Sequence, residues 1–152
     1  PLAPPYAREI LFRVLQRPHG WMLREIAAPD SAIPRVNQAI QCIRRDYAQS
    51  IRVESLAQRA AMSVSAFHRH FKAVTTLSPL QYQKRVRLLQ ARMLMIASAK
   101  SVTSAAFEVG YESATQFSRD YARVFGLPPA RDAGRILEAT KAQDQFAAAV
   151  LT

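Results

Sequence analysis

The chain contains two similar segments. Residues 113–129, "SATQFSRDYARVFGLPP", align with residues 63–79, "SVSAFHRHFKAVTTLSP", at an offset of fifty positions. Upstream the offset falls by one, so that "LAQRAAM" overlays "AAFEVGY" and Glu112 is the single extra residue of the second copy. A repeat of this kind predicts two copies of one supersecondary unit within a small chain.

Hydrophobic periodicity indicates that each copy is a short helix, a turn and a second helix, and no segment shows a convincing period-two strand pattern. Ser63 is a natural N-cap for the second helix of the first copy, and Ser113 takes the same place in the second copy. Phe67, Phe71 and Val74 recur at helical spacing, so we expect them on the buried side of the first copy. The corresponding residues of the second copy are Phe117, Tyr121, Val124 and Phe125.

A short helix, a tight turn and a helix with an apolar back and a basic front predict a helix-turn-helix, whose second helix reads the major groove of DNA. We call this second helix the recognition helix. A glutamine amide suits an adenine edge, and an arginine suits a guanine edge or a phosphate. The polar residues on the outer faces of the two recognition helices are Ser65, His68, Arg69, Lys72, Thr115, Gln116, Arg119 and Arg123.

The residues between the copies, about 78–98, predict a long linker helix. Twenty-one residues in a helix span about 31 Å, close to the roughly 34 Å that separates major-groove faces one turn apart. The spacing predicts that a single chain places two recognition helices in successive major-groove segments. Lys84, Arg85 and Arg87 are expected to form a solvated face of this helix.

The predicted fold is therefore all-α, with two helix-turn-helix subdomains joined by a long linker helix in a homeodomain-like tandem. The predicted regions are a helical N-terminal part (1–33), a DNA-binding domain (34–135) with units at about 34–76 and 99–130, and a C-terminal tail (136–152).

Positive charge is concentrated on the repeat. The chain has a net charge of +10, and residues 34–135 hold 16 basic and 6 acidic residues. Such a concentration of positive charge attracts polyanions, and it therefore predicts a nucleic-acid partner. Two functions remain open on this basis: sequence-specific reading of double-stranded DNA, or non-specific architectural or RNA binding through charge alone.

Other functional classes find little support. Cys42 is the only cysteine, and His68 and His70 diverge by about 200° around a helix, so no metal site is expected. The sequence offers no nucleophile–base pair or phosphate-binding glycine loop, which argues against an enzyme or a bound cofactor. No apolar run reaches the ~18 residues of a membrane span. We expect a cytoplasmic protein that associates with the nucleoid and does not contact membranes.

Two long motifs resemble the DNA-binding domain of the AraC/XylS family of bacterial transcription regulators. They are "MSVSAFHRHFKAVTTLSPLQYQKRVRLLQARMLM" and "SAAFEVGYESATQFSRDYARVFGLPPARD". The resemblance covers about residues 34–135 and implies a regulator that binds promoter DNA, with RNA polymerase as a further partner. It places the base-contacting positions at Ser65, His68, Arg69, Ala114, Thr115, Gln116 and Arg119.

Two positions depart from the pattern of this family. Ala61 stands at the usual turn glycine of the first unit, whereas Gly110 keeps the glycine in the second. Thr76 replaces the glycine that usually follows the first recognition helix.

The N-terminal segment, residues 8–31, resembles the tail of the sensor domain in one branch of the family. A sensor barrel needs far more than 33 residues, so a small-molecule effector would bind the part of that domain that this chain lacks. A further helix is predicted over residues 5–17, whose apolar stripe suggests a monomer or a weak dimer.

Overall fold

The computed structural model describes residues 31–150, with side chains through residue 146. Its helices are α1 (Ala32–Arg45), α2 (Val53–Arg59), α3 (Val64–Thr75), α4 (Pro79–Ala97), α5 (Val102–Glu108), α6 (Ala114–Phe125) and α7 (Pro129–Val150). This part of the chain is all-α, as predicted. The helix predicted over residues 5–17 and nearly all of the sensor-like segment lie outside the described residues.

The described residues form two compact units. The first contains residues 31–42 and 52–79, and the second contains residues 43–51 and 80–150. Each unit holds one copy of the repeat: α2 and α5 both have seven residues, and α3 and α6 both have twelve. The duplicated sequence therefore does correspond to a duplicated helix-turn-helix.

The core of the first unit follows the predicted pattern with one exception. Leu56 on α2 and Phe67 and Phe71 on α3 are buried, and the two phenylalanine rings lie 5.5 Å apart. Val74 was expected beside them but is 41% exposed. It lies in the last turn of α3, and the seven residues of α2 make a helix of only about 10 Å, too short to cover all of a twelve-residue partner.

In the second unit, α4, α5 and α6 contribute to a single apolar cluster. Its centre is formed by Phe117 and Tyr121 on α6, both fully buried, with Val124 and Phe125 packed against it as partly buried neighbours. The linker helix, α4, contributes three buried residues from its inner side to the same cluster. These residues are Leu88, Ala91 and Met95.

Helix α7 runs across the boundary predicted at residues 135 and 136. It begins at Pro129, and its first turns are anchored by Asp132 and Ala133, which are both buried. Residues 136–150 of the predicted tail thus continue a helix whose start belongs to the core of the second unit.

The turn between the two helices of each unit has a left-handed residue at the same place. Ala61 has φ 51° and Gly110 has φ 90°. The preceding helix accepts equivalent hydrogen bonds in both units: Ala61 N–H donates to Gln58, and Gly110 N–H donates to Phe107. The first unit thus keeps the backbone geometry of a glycine turn without glycine, at a conformational cost to Ala61.

Where the recognition helices end, the first unit again has another residue at the position that glycine occupies in the second unit. Thr76 (φ 66°) follows α3 and Gly126 (φ 79°) follows α6, and each backbone N–H returns to the helix, to Lys72 and Ala122 respectively. A β-branched residue at positive φ is strained. Nevertheless, the left-handed cap is retained.

Gly110 has a second constraint, because the backbone of the segment that follows α1 passes directly over it. A Cβ on Gly110 would lie 2.1 Å from the carbonyl oxygen of Ala48. Glycine is therefore needed here for close approach as well as for its positive φ.

We expect Gly110→Ala to lower the free energy of unfolding by about 3 kcal/mol or more, because backbone strain and a steric clash add. Gly126→Ala is the matched control, since Gly126 has φ 79° but no atom within 4 Å of its added Cβ. That control should cost only about 1 kcal/mol. Urea unfolding of both variants measures the difference, and equal losses would contradict the role of the Ala48 contact.

Candidate nucleic-acid interface

The first recognition helix, α3, is oriented by its cap and its aromatic back. Ser63 caps it as predicted, its hydroxyl accepting from the N–H of Ala66 at 3.2 Å. Phe67 and Phe71 are fully buried, so the opposite face must point outward. The predicted DNA-contacting residues on that face, all exposed, are Ser65, His68, Arg69 and Lys72.

The second recognition helix, α6, repeats this design. Ser113 caps it by accepting from the N–H of Gln116 at 3.3 Å. The rings of Phe117 and Tyr121 lie 5.5 Å apart on its buried side. Ala114, at the helix start, is half-buried and offers only a methyl group. The remaining predicted contact residues are exposed, namely Thr115, Gln116, Arg119 and Arg123.

The structure contains two buried carboxylates that sequence reasoning missed. Asp120 on α6 is 2% exposed and accepts from Lys84 Nζ at 3.0 Å, with Arg123 Nη1 at 3.6 Å and the Tyr111 hydroxyl at 3.4 Å. Burial by itself would raise its pKa. Hydrogen bonds from Lys84 and Gln116, and the charges of Lys84 and Arg123, outweigh burial and hold the pKa of Asp120 below its ordinary value.

Asp132 on α7 is the second buried carboxylate, with no exposed surface. Arg92 donates to both of its oxygens, at 2.8 and 3.2 Å, and the Tyr121 hydroxyl donates at 2.8 Å. Burial opposes ionisation, but these hydrogen bonds and the charges of Arg92 and Arg135 lower the pKa of Asp132. For the phenol the direction is reversed: burial and the adjacent carboxylate raise the pKa of Tyr121. Asp132 therefore joins α7, α6 and α4 beneath the second recognition helix.

Arg87 on the linker helix is the most connected cation among the described residues. Its Nε donates to the carbonyl of Tyr47 at 2.7 Å and Nη1 donates to that of Gly110 at 2.9 Å. Its Nη2 donates to the carbonyls of Ala48 and Gln49, at 3.2 and 3.1 Å. One guanidinium thus joins α4 to the segment after α1 and to the turn before α6.

The prediction that Lys84, Arg85 and Arg87 form a solvated face is wrong for Arg87 alone; Lys84 is exposed, although its Nζ reaches a buried carboxylate. Lys84 binds Asp120, and Arg87 is half-buried against backbone carbonyls, whereas Arg85 is exposed with its guanidinium 5.8 Å from the Phe125 ring centroid. One feature of the sequence does point to this buried face of α4: Gln83 and Arg87 lie four residues apart, and so on the same side of the helix. Gln83 is 6% exposed and donates to the carbonyls of Tyr47 and Gln49 at 2.9 and 2.6 Å.

Within residues 31–150, no group of three or more histidine, cysteine or acidic side chains is arranged to hold a metal ion. In the same part of the chain, none of the helices is both long and apolar enough to cross a membrane.

Comparison with known proteins extends this picture. The family model "Helix-turn-helix domain" matches residues 56–134. The transcriptional activator RhaS of Klebsiella pneumoniae (strain 342) is 37% identical over 126 residues, which cover 81% of this chain and 44% of that protein. RhaS of Escherichia fergusonii is 37% identical over 95 residues, covering 62% of this chain and 34% of that protein. The chain thus spans less than half the length of these curated relatives.

Two solved structures share both fold and sequence similarity. A probable AraC family transcriptional regulator from Rhodopseudomonas palustris CGA009 has a TM-score of 0.61 and 30% identity, over 67% of this chain and 96% of that one. The DNA-binding domain of the global transcriptional factor AdpA, crystallised with a target DNA, also has a TM-score of 0.61 and 30% identity, over 66% of this chain and 90% of that one.

We expect Arg87→Met to lower the free energy of unfolding by about 2–4 kcal/mol, because it leaves several inward-facing carbonyls without their charged donor. Arg85→Met changes the same side chain two residues earlier, where the arginine is exposed, and should stay within about 0.5 kcal/mol of wild type. Chemical denaturation gives both values. A stable Arg87→Met protein would show that the four hydrogen bonds contribute little.

The depressed pKa values of Asp120 and Asp132 make stability pH-dependent. A carboxylate whose folded pKa lies below its unfolded value of about 3.9 stabilises the fold above that value, and this contribution is lost as the pH falls through the folded pKa. We therefore expect the free energy of unfolding to drop below about pH 4. Asp132→Asn should cost about 3 kcal/mol at pH 7 and flatten the acid limb. Urea unfolding between pH 7 and pH 2.5 tests this, and an unchanged acid slope in the variant would contradict it.

Proposed function

The chain belongs to the AraC/XylS family of bacterial transcription regulators, and from this premise we propose that it binds promoter DNA sequence-specifically through its two recognition helices. The observation that carries the proposal is the shared geometry of α3 and α6. Each has a serine cap, a buried aromatic pair and an exposed polar face on the opposite side. The AdpA domain, which is similar in fold and sequence, was crystallised with a target DNA.

In this proposal some residues of the exposed faces read the base sequence, and others bind the phosphate backbone and position the protein on the DNA. Arg69 and Arg119 occupy equivalent places in the two recognition helices, six residues after their serine caps. Both are exposed, and an arginine at the N-terminal half of a recognition helix is placed to bind the O6 and N7 of guanine. Lys72 and Arg123 lie one turn or so further along and neutralise phosphates, which contributes affinity without sequence information.

We further propose that the two recognition helices occupy successive major-groove segments. Helix α4 lies between the two helix-turn-helix units in the chain and has 19 residues, a length of about 28 Å. This is of the order of the roughly 34 Å between major-groove faces one helical turn apart. One chain would then read two half-sites, as a dimer of single-unit repressors does.

The protein partner that we propose is RNA polymerase, because the RhaS relatives are transcriptional activators. We expect a monomer or a weak dimer on DNA, since one chain carries both recognition helices. An effector, if it acts on the full protein, is expected to bind a sensor domain and not the two helix-turn-helix units.

The test is selection from a random duplex pool, followed by titration of the selected site and a scrambled site at low and physiological salt. We expect two short blocks about one helical turn apart. Arg69→Ala or Arg119→Ala should cost about 1–3 kcal/mol on the selected site and little on scrambled DNA.

Lys72→Ala is the matched control, because a phosphate contact should weaken both DNAs about equally and reduce the salt slope by about one. If no sequence is enriched and affinity only collapses with salt, the chain acts as a non-specific architectural or RNA-binding protein instead.

A further inference from the structure

Two cations on different helices of the second unit share one buried carboxylate. Asp120 on α6 is 2% exposed; Lys84 Nζ on α4 lies 3.0 Å from its Oδ2, and Arg123 Nη1 lies 3.6 Å from its Oδ1. The side chains of Lys84 and Arg123 are 50% and 77% exposed. The negative charge therefore lies beneath the surface, both positive charges reach solvent, and the surface above Asp120 is positive.

The carboxylate holds these two side chains without using up their hydrogen-bond donors. An ammonium group has three N–H donors and a guanidinium group has five, and Asp120 takes one contact from each. The Tyr111 hydroxyl, 3.4 Å from Oδ2, is a further partner of the carboxylate. An anion that binds Lys84 and Arg123 from the solvent side therefore meets side chains that are already ordered, which lowers the entropic cost of binding.

Lys84 lies beside the middle of the second recognition helix. Contacts between α4 and α6 keep the same order along both helices, because Lys84 meets Asp120 and Arg92 lies 4.7 Å from the Phe125 ring centroid. Asp120 follows the first residue of α6 by about 9 Å along the helix axis. The major groove is about 8.5 Å deep. When the N-terminal end of α6 reaches base edges, the groups around Asp120 are therefore level with the phosphates at the rim of the groove.

We propose that Lys84 and Arg123 together bind one phosphate group of the DNA backbone, with Asp120 as the positioning residue beneath them. The two nitrogens contact different oxygens of one carboxylate. A phosphate group, whose oxygens are similarly spaced, can accept charge-assisted hydrogen bonds from both on the other side. The inference rests on the proposed function, and it adds the linker helix to the elements that contact DNA.

The first recognition helix has no equivalent pair at the aligned positions. At the fifty-residue offset, Asp120 corresponds to His70 and Arg123 corresponds to Ala73. The carboxylate and its arginine therefore occur only in the second copy of the repeat. The phosphate site is assigned to the half-site that α6 reads.

The experiment uses duplexes of the selected site in which one phosphate at a time is replaced by an uncharged methylphosphonate. The block whose base changes no longer affect affinity in Arg119→Ala identifies the α6 half-site. In wild type we expect one phosphate beside that block whose replacement weakens binding about tenfold. The same replacement should cost only about threefold in Lys84→Met, which retains Arg123, and nothing in Lys84→Met/Arg123→Met.

The charge-matched control is Arg85→Met/Arg123→Met. Arg85 is the exposed neighbour of Lys84 on α4, but its guanidinium lies near Phe125, at the end of α6 that is farther from the base edges. This control removes the same net charge and leaves Lys84 on the phosphate, so the replacement should still cost about threefold.

Salt dependence on scrambled DNA gives an independent measurement. Each phosphate that is no longer neutralised lowers the slope of log K against log salt by about 0.9. From 50 to 200 mM salt, Lys84→Met/Arg123→Met should therefore lose about threefold less affinity than wild type. The charge-matched control should stay close to the wild-type slope.

Two further substitutions separate a phosphate contact from a purely structural ion pair. Lys84→Arg keeps the charge and should keep most of the tenfold effect. Lys84→Gln keeps a donor for Asp120 without the charge, and it should behave as Lys84→Met does. If Lys84 only joined α4 to α6, the effect of the methylphosphonate would be the same in wild type and in Lys84→Gln, and the proposal would be overturned.

The scan of the wild-type protein tests the site without any variant. Absence of a sensitive phosphate beside the α6 block would also overturn the proposal. Failure to select any sequence would instead count against the proposed function. The salt slopes of wild type and Lys84→Met/Arg123→Met on scrambled DNA would then still test the phosphate site, and equal slopes would reject it.

Discussion

The burial of two aromatic rings one helical turn apart determines which side of each recognition helix faces outward. Phe67 and Phe71 in α3, and Phe117 and Tyr121 in α6, have no exposed surface. Each such ring contributes about 1.5–3 kcal/mol by leaving water, so rotating the helix to expose one of them is strongly unfavourable. Every polar residue assigned to DNA contact lies outward because of this constraint.

Polar interactions also connect the elements of the second unit. Arg87 binds four backbone carbonyls, Asp132 joins three helices, and Asp120 on α6 binds Lys84 on α4. Buried polar groups of this kind are costly unless every partner is present. Among the described residues, every buried side-chain nitrogen and oxygen has a hydrogen-bond partner, so these groups hold the elements in one arrangement.

The two units reach the same backbone by different sequences. Gly110 and Gly126 occupy left-handed positions that Ala61 and Thr76 fill in the first unit, with the same returning hydrogen bonds. A left-handed alanine or threonine costs on the order of 1–2 kcal/mol, which the remaining contacts of the first unit must offset. The position of Gly110 requires glycine more strictly than the other three, because the Ala48 carbonyl leaves no room for a Cβ. This difference could not be read from the aligned repeats.

The sequence by itself determined the helical class, the duplicated helix-turn-helix, the serine caps and most of the buried positions, because these depend on local chemistry and on periodicity along a single helix. It also predicted where α3 and α6 begin, since Ser63 and Ser113 cap their first turns. Tertiary structure alone decided the exposure of Val74 and the roles of Lys84 and Arg87. It also decided the burial of Asp120 and Asp132. A charged residue on a helix has the same sequence signature whether it meets water or a partner dozens of residues away, and only packing brings that partner within hydrogen-bond distance.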